Sequence, residues 1–527
     1  MYIAERFLFH DSKWTLLAIF VAFMYLAHRA SALRKGRLPP GPRGLPLFGN
    51  LFQLNIDAWL TFAEWKEQYG PLVQINVAGQ RIVIMNTHKV ASDLLDRRGP
   101  IYSDRPRFIV ASEILTGGLL MPFAQYNDVW RRMRRAGHEG LNKTVSRDFF
   151  GPQYREAVLL ADGMLKHPEL WNEEIRRATA SMIWDVIYDK PPITDVEDPE
   201  ITRINDFTTR LVRAAFPGAH YVEFFTWMKY LPRSVARWKR DAEEWFRKDS
   251  QFFEGLFLEA QHHVENGEAR PSFATNLIRD KERYGIPDRE SAWLAATLYA
   301  AGAETTAGVL SWFMLAMILY PDVQTKVQEE LDAVVGRDRL PTFADQESLP
   351  YLQATVREAL RWHPVDPVGV PHQSNQDDWY EGYFIPKGTI CIANVWSLNR
   401  DIGAYIQGPD AADFNPRRFL DKNGQLKPAL ADTKEGEGHV SYGFGRRLCI
   451  GRHVANNSLF IDIACLLWAV SIGPVHDSQG KAIMPVESKS INDGLVVRPI
   501  PFRCSITPRF PEVNTILAQS KDVVGNN

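Results

Sequence analysis

The sequence predicts a mainly α-helical protein with a small β portion. Asp288 to about Leu319 reads as one long helix, opened by a capping-type Asp and closed before Pro321. At 1.5 Å per residue it would span roughly 45 Å, enough to cross a whole domain. Most of the chain up to residue 360 carries helical patterning, and strand signals are short, as in Arg81-Ile82-Val83-Ile84-Met85. Hydrophobic residues make up 45% of the 527 and charged residues 24%, so a large core is easily filled.

The totals narrow the function classes. A formal net charge of −2 argues against nucleic acid as the main partner. The cysteines, Cys391, Cys449, Cys465 and Cys504, are too few and scattered for a disulfide framework, and no C-x-x-C pair occurs. A reducing, cytosol-facing compartment is the simplest reading. The 33 prolines suit many loops between helices.

Three segments follow in order. Residues 1–37 hold the uncharged run Trp14 to Ala27, with Lys13 before it and Arg29, Arg34, Lys35 and Arg37 after it. As a helix the run covers about 21 Å, short of a ~30 Å hydrocarbon core and closer to a ~27 Å endoplasmic-reticulum bilayer. A membrane anchor, a cleaved signal peptide ending near Ala30-Ser31-Ala32 and a buried helix are the competing readings. The basic flank and the absence of cysteine pairs favour an anchor with the chain retained on the cytosolic side. Residues 38–46, Leu-Pro-Pro-Gly-Pro-Arg-Gly-Leu-Pro, read as a stiff hinge. Residues 47–527 then read as one further domain, mainly helical with a small β portion.

The chemistry concentrates around Ser441-Tyr442-Gly443-Phe444-Gly445-Arg446-Arg447-Leu448-Cys449-Ile450-Gly451. A cysteine among glycines and arginines, just ahead of an apolar helix, reads as a thiolate held in a cationic turn; the plainer reading is an inert buried cysteine. Trp130 and Arg134 stand four apart on one helical face, which a solvated basic helix would also give. In the long helix, Ala301-Gly302-Ala303-Glu304-Thr305-Thr306 places small residues beside a carboxylate and a hydroxyl, a proton-relay pair. A threonine bonding its own i−4 carbonyl is the alternative. Glu358 and Arg361 are three apart, and Phe414-Asn415-Pro416-Arg417-Arg418-Phe419 offers them a partner in Arg418.

Taken together these motifs resemble those of the cytochrome P-450 monooxygenases. The cysteine stretch matches F-x-x-G-x-R-x-C-x-G except at its first position, where Tyr442 stands for Phe, and the order of motifs agrees from residue 38 to residue 451. The resemblance implies the cytochrome P-450 fold, a haem b cofactor and Cys449 as its axial iron ligand. It implies Arg447, Trp130, Arg134, His372 of Pro364–His372 and Arg105 of Tyr102–Pro106 as propionate donors. Gly302, Gly445 and Gly451 would let backbone approach the porphyrin, and Gly302 would also widen the helix locally for dioxygen. Thr305 would face dioxygen and Glu304 would relay protons to it. Glu358, Arg361 and Arg418 would buttress the cysteine loop without doing chemistry, although Arg417 replaces the Glu of the usual P-E-R-F. Phe216–Phe225 looks like the substrate-entry region of fungal microsomal members.

The reaction so implied inserts one oxygen atom into a lipophilic small molecule, with fungal secondary metabolism the first expectation and a detoxifying or fatty-acid hydroxylase the second. No dinucleotide fingerprint follows Gly443-Phe444-Gly445, so a separate NADPH-cytochrome P-450 reductase is the expected electron source, and Arg131, Arg132 and Arg135 would present it a positive surface. A haem-thiolate isomerase without need of dioxygen is one rival, disfavoured by the Glu304–Thr305–Thr306 relay. A membrane-anchored haem sensor is another, disfavoured by small Ala301 and Gly302.

Overall fold

The structure is a computed structural model that describes residues 36–193, 199–215, 219–401, 410–428, 437–492, 494 and 496–525. The expected anchor, Trp14 to Ala27, lies outside them, as do Phe216, Pro217 and Gly218 of the expected entry region and Asp493 and Leu495 of Asn492-Asp493-Gly494-Leu495-Val496.

The principal helices are α1 (Ala58–Tyr69), α2 (Asp128–Gly140), α3 (Phe150–Lys166), α4 (Trp171–Tyr188), α5 (Arg237–Glu265), α6 (Asp288–Leu319), α7 (Pro321–Val334), α8 (Pro350–Trp362) and α9 (Arg452–Ala469). Helix α6 is the axis of the molecule. It packs most extensively on α4 and α5, while α9 lies along α3. Its N-terminal half belongs to one apolar cluster with Trp293 and Leu294, and its C-terminal half to a second with Trp312, Phe313 and most of α9. Trp293, Trp312, Trp362 and Trp468 are all fully buried. Truncating any one to Ala would cost about 3–5 kcal/mol. The two clusters meet around residues 303–307, where the candidate relay stands.

Among the described residues α6 alone is long and apolar enough to cross a membrane, but most of it is buried in protein, so it is the core helix. Asp288 is its first helical residue and not its cap. Pro287 holds the cap position, and the Asp288 carboxylate pairs with Lys281 at 2.7 Å.

Strands β1 (Leu72–Val77) and β2 (Gln80–Met85) form a hairpin whose turn, Ala78-Gly79, has positive φ at both residues, the geometry of a tight two-residue hairpin. A parallel strand, β6 (Ile390–Ala393), extends this sheet, and β3 (His372–Gln373) closes it, with His372 opposite Cys391. A further hairpin precedes β6. It pairs β4 (Asp378–Tyr380) with β5 (Tyr383–Ile385) about Glu381-Gly382, whose positive φ values make the turn. The expected hinge is docked on the sheet: Gln74 N–H donates to Pro40 O at 2.8 Å, and Phe384 N–H to Arg37 O at 2.7 Å. A side chain at Gly41 would overlap Gln74 O, at 1.8 Å, so glycine is required for that approach.

Candidate active site

Cys449 is the centre of the site. The loop reaches it through Gly443 and Gly445, both at positive φ, and α9 begins three residues later at Arg452. Its N–H donates to Tyr442 O at 2.9 Å, and Arg452 Nη1 donates to Cys449 O at 3.1 Å. The residue is enclosed by protein, yet its side chain keeps accessible surface, so it faces internal space. Burial pushes its thiol above the ordinary value. The Gly451 N–H, Arg134 and Arg452 pull the other way without overturning that. Burial and the cationic turn thus act in opposite directions on the sulfur. A coordinated metal ion would deprotonate it outright.

Along α6, Ala301 is exposed and Gly302, Glu304 and Thr305 are half-buried, although the helix is otherwise almost wholly buried. That window sits at the break between the two apolar clusters. Thr305 Oγ1 donates to Ala301 O at 2.7 Å, the local alternative considered for it. Glu304 accepts from Arg176 Nη2 at 2.8 Å, and its carboxylate borders a recess shared with Thr179, Ile193 and Asn205.

Cationic groups gather near Cys449. Arg105 Nε and Nη1 donate to the carbonyls of Pro122, Val370 and Pro371 at 2.9, 2.6 and 2.8 Å. Arg447 donates to those of Ser103, Met121 and Ala124 at 2.9, 3.3 and 2.8 Å, and its guanidinium lies 4.1 Å from the Trp130 ring centroid. Among the described residues no carboxylate comes within ion-pairing distance of Arg105, Arg134 or Arg447. Burial lowers their pKa values to about 9, about 10 and about 8, and for Arg447 the neighbouring Arg105 and Arg134 add to the effect. The Trp130 Nε1–H is buried with no acceptor.

His372 is buried, and its Nδ1–H donates to Tyr102 O at 2.7 Å, since a carbonyl can only accept. Burial, Arg105 and Arg447 hold the ring well below the usual histidine value. In that neutral form Nε2 is a lone pair, so the expected donation to a propionate requires the imidazolium.

Two of the three glycines stand against close protein neighbours. A Cβ on Gly302 would stand 2.8 Å from Ile183 Cγ1 on α4, so this glycine permits close packing of α4 on α6. At Gly445, a Cβ would sit 2.2 Å from Leu95 O, and its N–H donates to Asp96 Oδ1 at 2.6 Å. Gly445 thus admits the segment Ser92–Arg97. Gly451, by contrast, has nothing within 4 Å of such a Cβ.

Behind the loop, Arg361 makes two hydrogen bonds to Glu358, at 2.6 and 2.8 Å, and Arg418 Nε adds a third at 3.0 Å. Arg417 stays outside this group, turned to solvent. Sequence reasoning missed the link onward. Asn399 Nδ2 donates to Arg361 O and to Ser441 Oγ, and Val440 N–H donates to Asn399 Oδ1 at 2.9 Å. It also missed Asn456, whose Oδ1 accepts from Tyr442 OH at 2.6 Å and accounts for the hydroxyl at the departing motif position. Of the expected basic surface on α2, Arg132 is bound by Glu290 of α6 and Arg131 by Asp128, which leaves Arg135 exposed.

These features fit a haem. Three guanidiniums with no ion pair and an indole N–H with no acceptor among the described residues suit a dianionic group, and the accessible sulfur suits iron. Among the described residues no cluster of three His, Cys, Asp or Glu could hold a metal, so iron must bring its equatorial donors with it, as a porphyrin does.

Comparison with known proteins agrees. Residues 39–503, beginning within the expected hinge, match the family described as Cytochrome P450. A cytochrome P450 monooxygenase of Armillaria gallica is 58% identical over 97% of both chains. Cytochrome P450 monooxygenase 58 of Postia placenta is 50% identical over 95% of both, and the monooxygenase iboC of Amanita muscaria is 43% identical over 96% of this chain and 97% of its own. The chain therefore belongs to the cytochrome P450 family, the haem b monooxygenases in which a cysteine thiolate is the axial iron ligand.

Proposed function

We propose that this monooxygenase hydroxylates, or similarly oxidises, a lipophilic small molecule in fungal secondary metabolism, with electrons from NADPH through a separate reductase. The observation that carries the reading is the accessible Cys449 sulfur among unpaired basic groups, with small Ala301 and hydroxylic Thr305 bordering internal space. Bound here, a haem with a thiolate ligand supplies reductive activation of dioxygen, one atom going to the substrate and the other leaving as water.

The chain's own residues bind, orient and deliver protons. Trp130 and Arg134 would hold the haem propionates with donors that have no other partner among the described residues, while Arg105 and Arg447 set a positive field braced by carbonyls. His372 joins them once protonated. Thr305 donates its proton into the site when it leaves Ala301 O, and Glu304 refills it from the recess at Arg176. Glu358, Arg361 and Arg418 fix the loop through Asn399.

Residues 1–37 anchor the chain in the endoplasmic-reticulum membrane, with residues 47–527 facing the cytosol. The uncharged run Trp14–Ala27 and its basic flank support this. So do the exposed Tyr221, Phe225, Trp227 and Tyr230, aromatic side chains suited to a membrane interface. The test is turnover under oxygen-18 with reductase and NADPH: one labelled atom per product is expected, and conversion independent of NADPH and dioxygen would overturn the reading.

A further inference from the structure

Asp366 is an acid in an apolar wall. It belongs to the turn Val365-Asp366-Pro367-Val368-Gly369-Val370 between α8 and β3. On one side of it, Val365 lies against α6: a Cβ on Gly308, one turn beyond Thr305, would be 3.0 Å from Val365 Cγ1. On the other side, Val370 O and Pro371 O accept from Arg105. The turn thus runs from the relay helix to the basic cluster, along the perimeter of the site.

The residue is surrounded by protein yet keeps accessible surface, the same combination as Cys449. Gly369 N–H donates to its backbone carbonyl at 3.2 Å, and its carboxyl has no ion pair among the described residues, though it lies within electrostatic reach of Arg105. Burial raises its pKa to about 7 against the pull of Arg105. A pocket for a plain hydrocarbon has no use for such a group, because burying an incompletely satisfied carboxyl is costly.

We propose that Asp366 is the polar anchor of the substrate pocket and hydrogen-bonds a hydroxyl group on an otherwise lipophilic substrate. A hydroxyl can donate to the carboxylate or accept from the acid, so it suits either protonation state. An ammonium group would meet the field of Arg105, Arg447 and Arg134 and is disfavoured. This assignment rests on the monooxygenase reading and narrows its substrate class to hydroxylated lipophiles. A site that hydrogen-bonds a substrate hydroxyl rejects the deoxy analogue strongly, because its own polar group is left unpaired.

The test uses the haem-loaded full chain and matched pairs of terpene and fatty alcohols with their parent hydrocarbons, titrated by the Soret spin-state shift. The wild type should bind the alcohols about tenfold or more tightly than the hydrocarbons, since a hydrogen bond to a charged group contributes about 1.5–3 kcal/mol. Asp366→Leu should abolish that preference with haem content unchanged, and Asp366→Asn should retain part of it. A wild type that binds none of the alcohols or shows no preference, or a preference that survives in Asp366→Leu, would overturn the assignment. So would haem loss in both variants, which would make Asp366 merely a countercharge for Arg105. Absence of a thiolate-type carbon-monoxide band before any ligand is added would instead overturn the monooxygenase reading itself.

Discussion

The guanidinium of Arg447 lies 4.1 Å from the ring centroid of Trp130, and the indole N–H beside it is buried without an acceptor. The pair joins the cysteine loop to α2 and leaves one strong donor with no acceptor among the described residues. Trp130→Phe keeps the stacking face and removes the donor. Haem affinity should fall roughly 10- to 100-fold, the loss of a charge-assisted hydrogen bond. Haem transfer to apomyoglobin measures this, and an unchanged transfer rate would remove Trp130 from the propionate set.

Glu358 and Arg361 are completely buried and held together by two hydrogen bonds. Breaking a buried pair leaves an uncompensated charge and costs about 3–5 kcal/mol. Glu358→Gln should therefore lower thermal stability and reduce soluble holoprotein. Because Asn399 carries the network to Ser441, Asn399→Ala should loosen the cysteine loop and shift the ferric electron-paramagnetic-resonance g values, with a smaller loss of stability.

Thr305 now bonds Ala301 O, so its role shows only in turnover. Thr305→Ala should leave haem content and substrate binding intact but divert reducing equivalents to hydrogen peroxide. Glu304→Gln, which breaks the pair with Arg176, should slow product formation and raise its solvent isotope effect. Coupling of NADPH to product unchanged in both variants would contradict the relay.

Asp462 lies buried in α9 near Glu156, and burial together with that neighbour raises its pKa well above the ordinary carboxylate value. The folded state thus holds a proton that the unfolded chain releases near pH 4. Stability contributed by the neutral carboxyl is full below that value and declines as pH rises toward the folded-state pKa. Asp462→Asn should raise the melting temperature more at pH 8 than at pH 5. An equal effect at both would show that the acid does not titrate differently on folding.

What was legible in the sequence was local or carried by a fixed spacing. Helix α6 emerged with both ends correct, because Asp288 and Pro321 bracket an unbroken apolar stretch. Trp130 and Arg134, and Glu358 with Arg361, were placed by helical spacing alone. Contacts across long separations were not legible. The approach of Ile183 to Gly302 and of Leu95 O to Gly445 has no signal in the sequence. Asn399 and Asn456 carry no spacing signal, being polar residues whose partners come from distant segments. At Cys449 the sequence shows the neighbouring arginines but not the burial that opposes them.

The most direct measurement is the carbon-monoxide difference spectrum of the dithionite-reduced protein, wild type against Cys449→Ala. A red-shifted Soret band characteristic of thiolate-ligated haem, lost in the variant, is the predicted result. No haem, or an imidazole-type band indifferent to Cys449, would contradict the account.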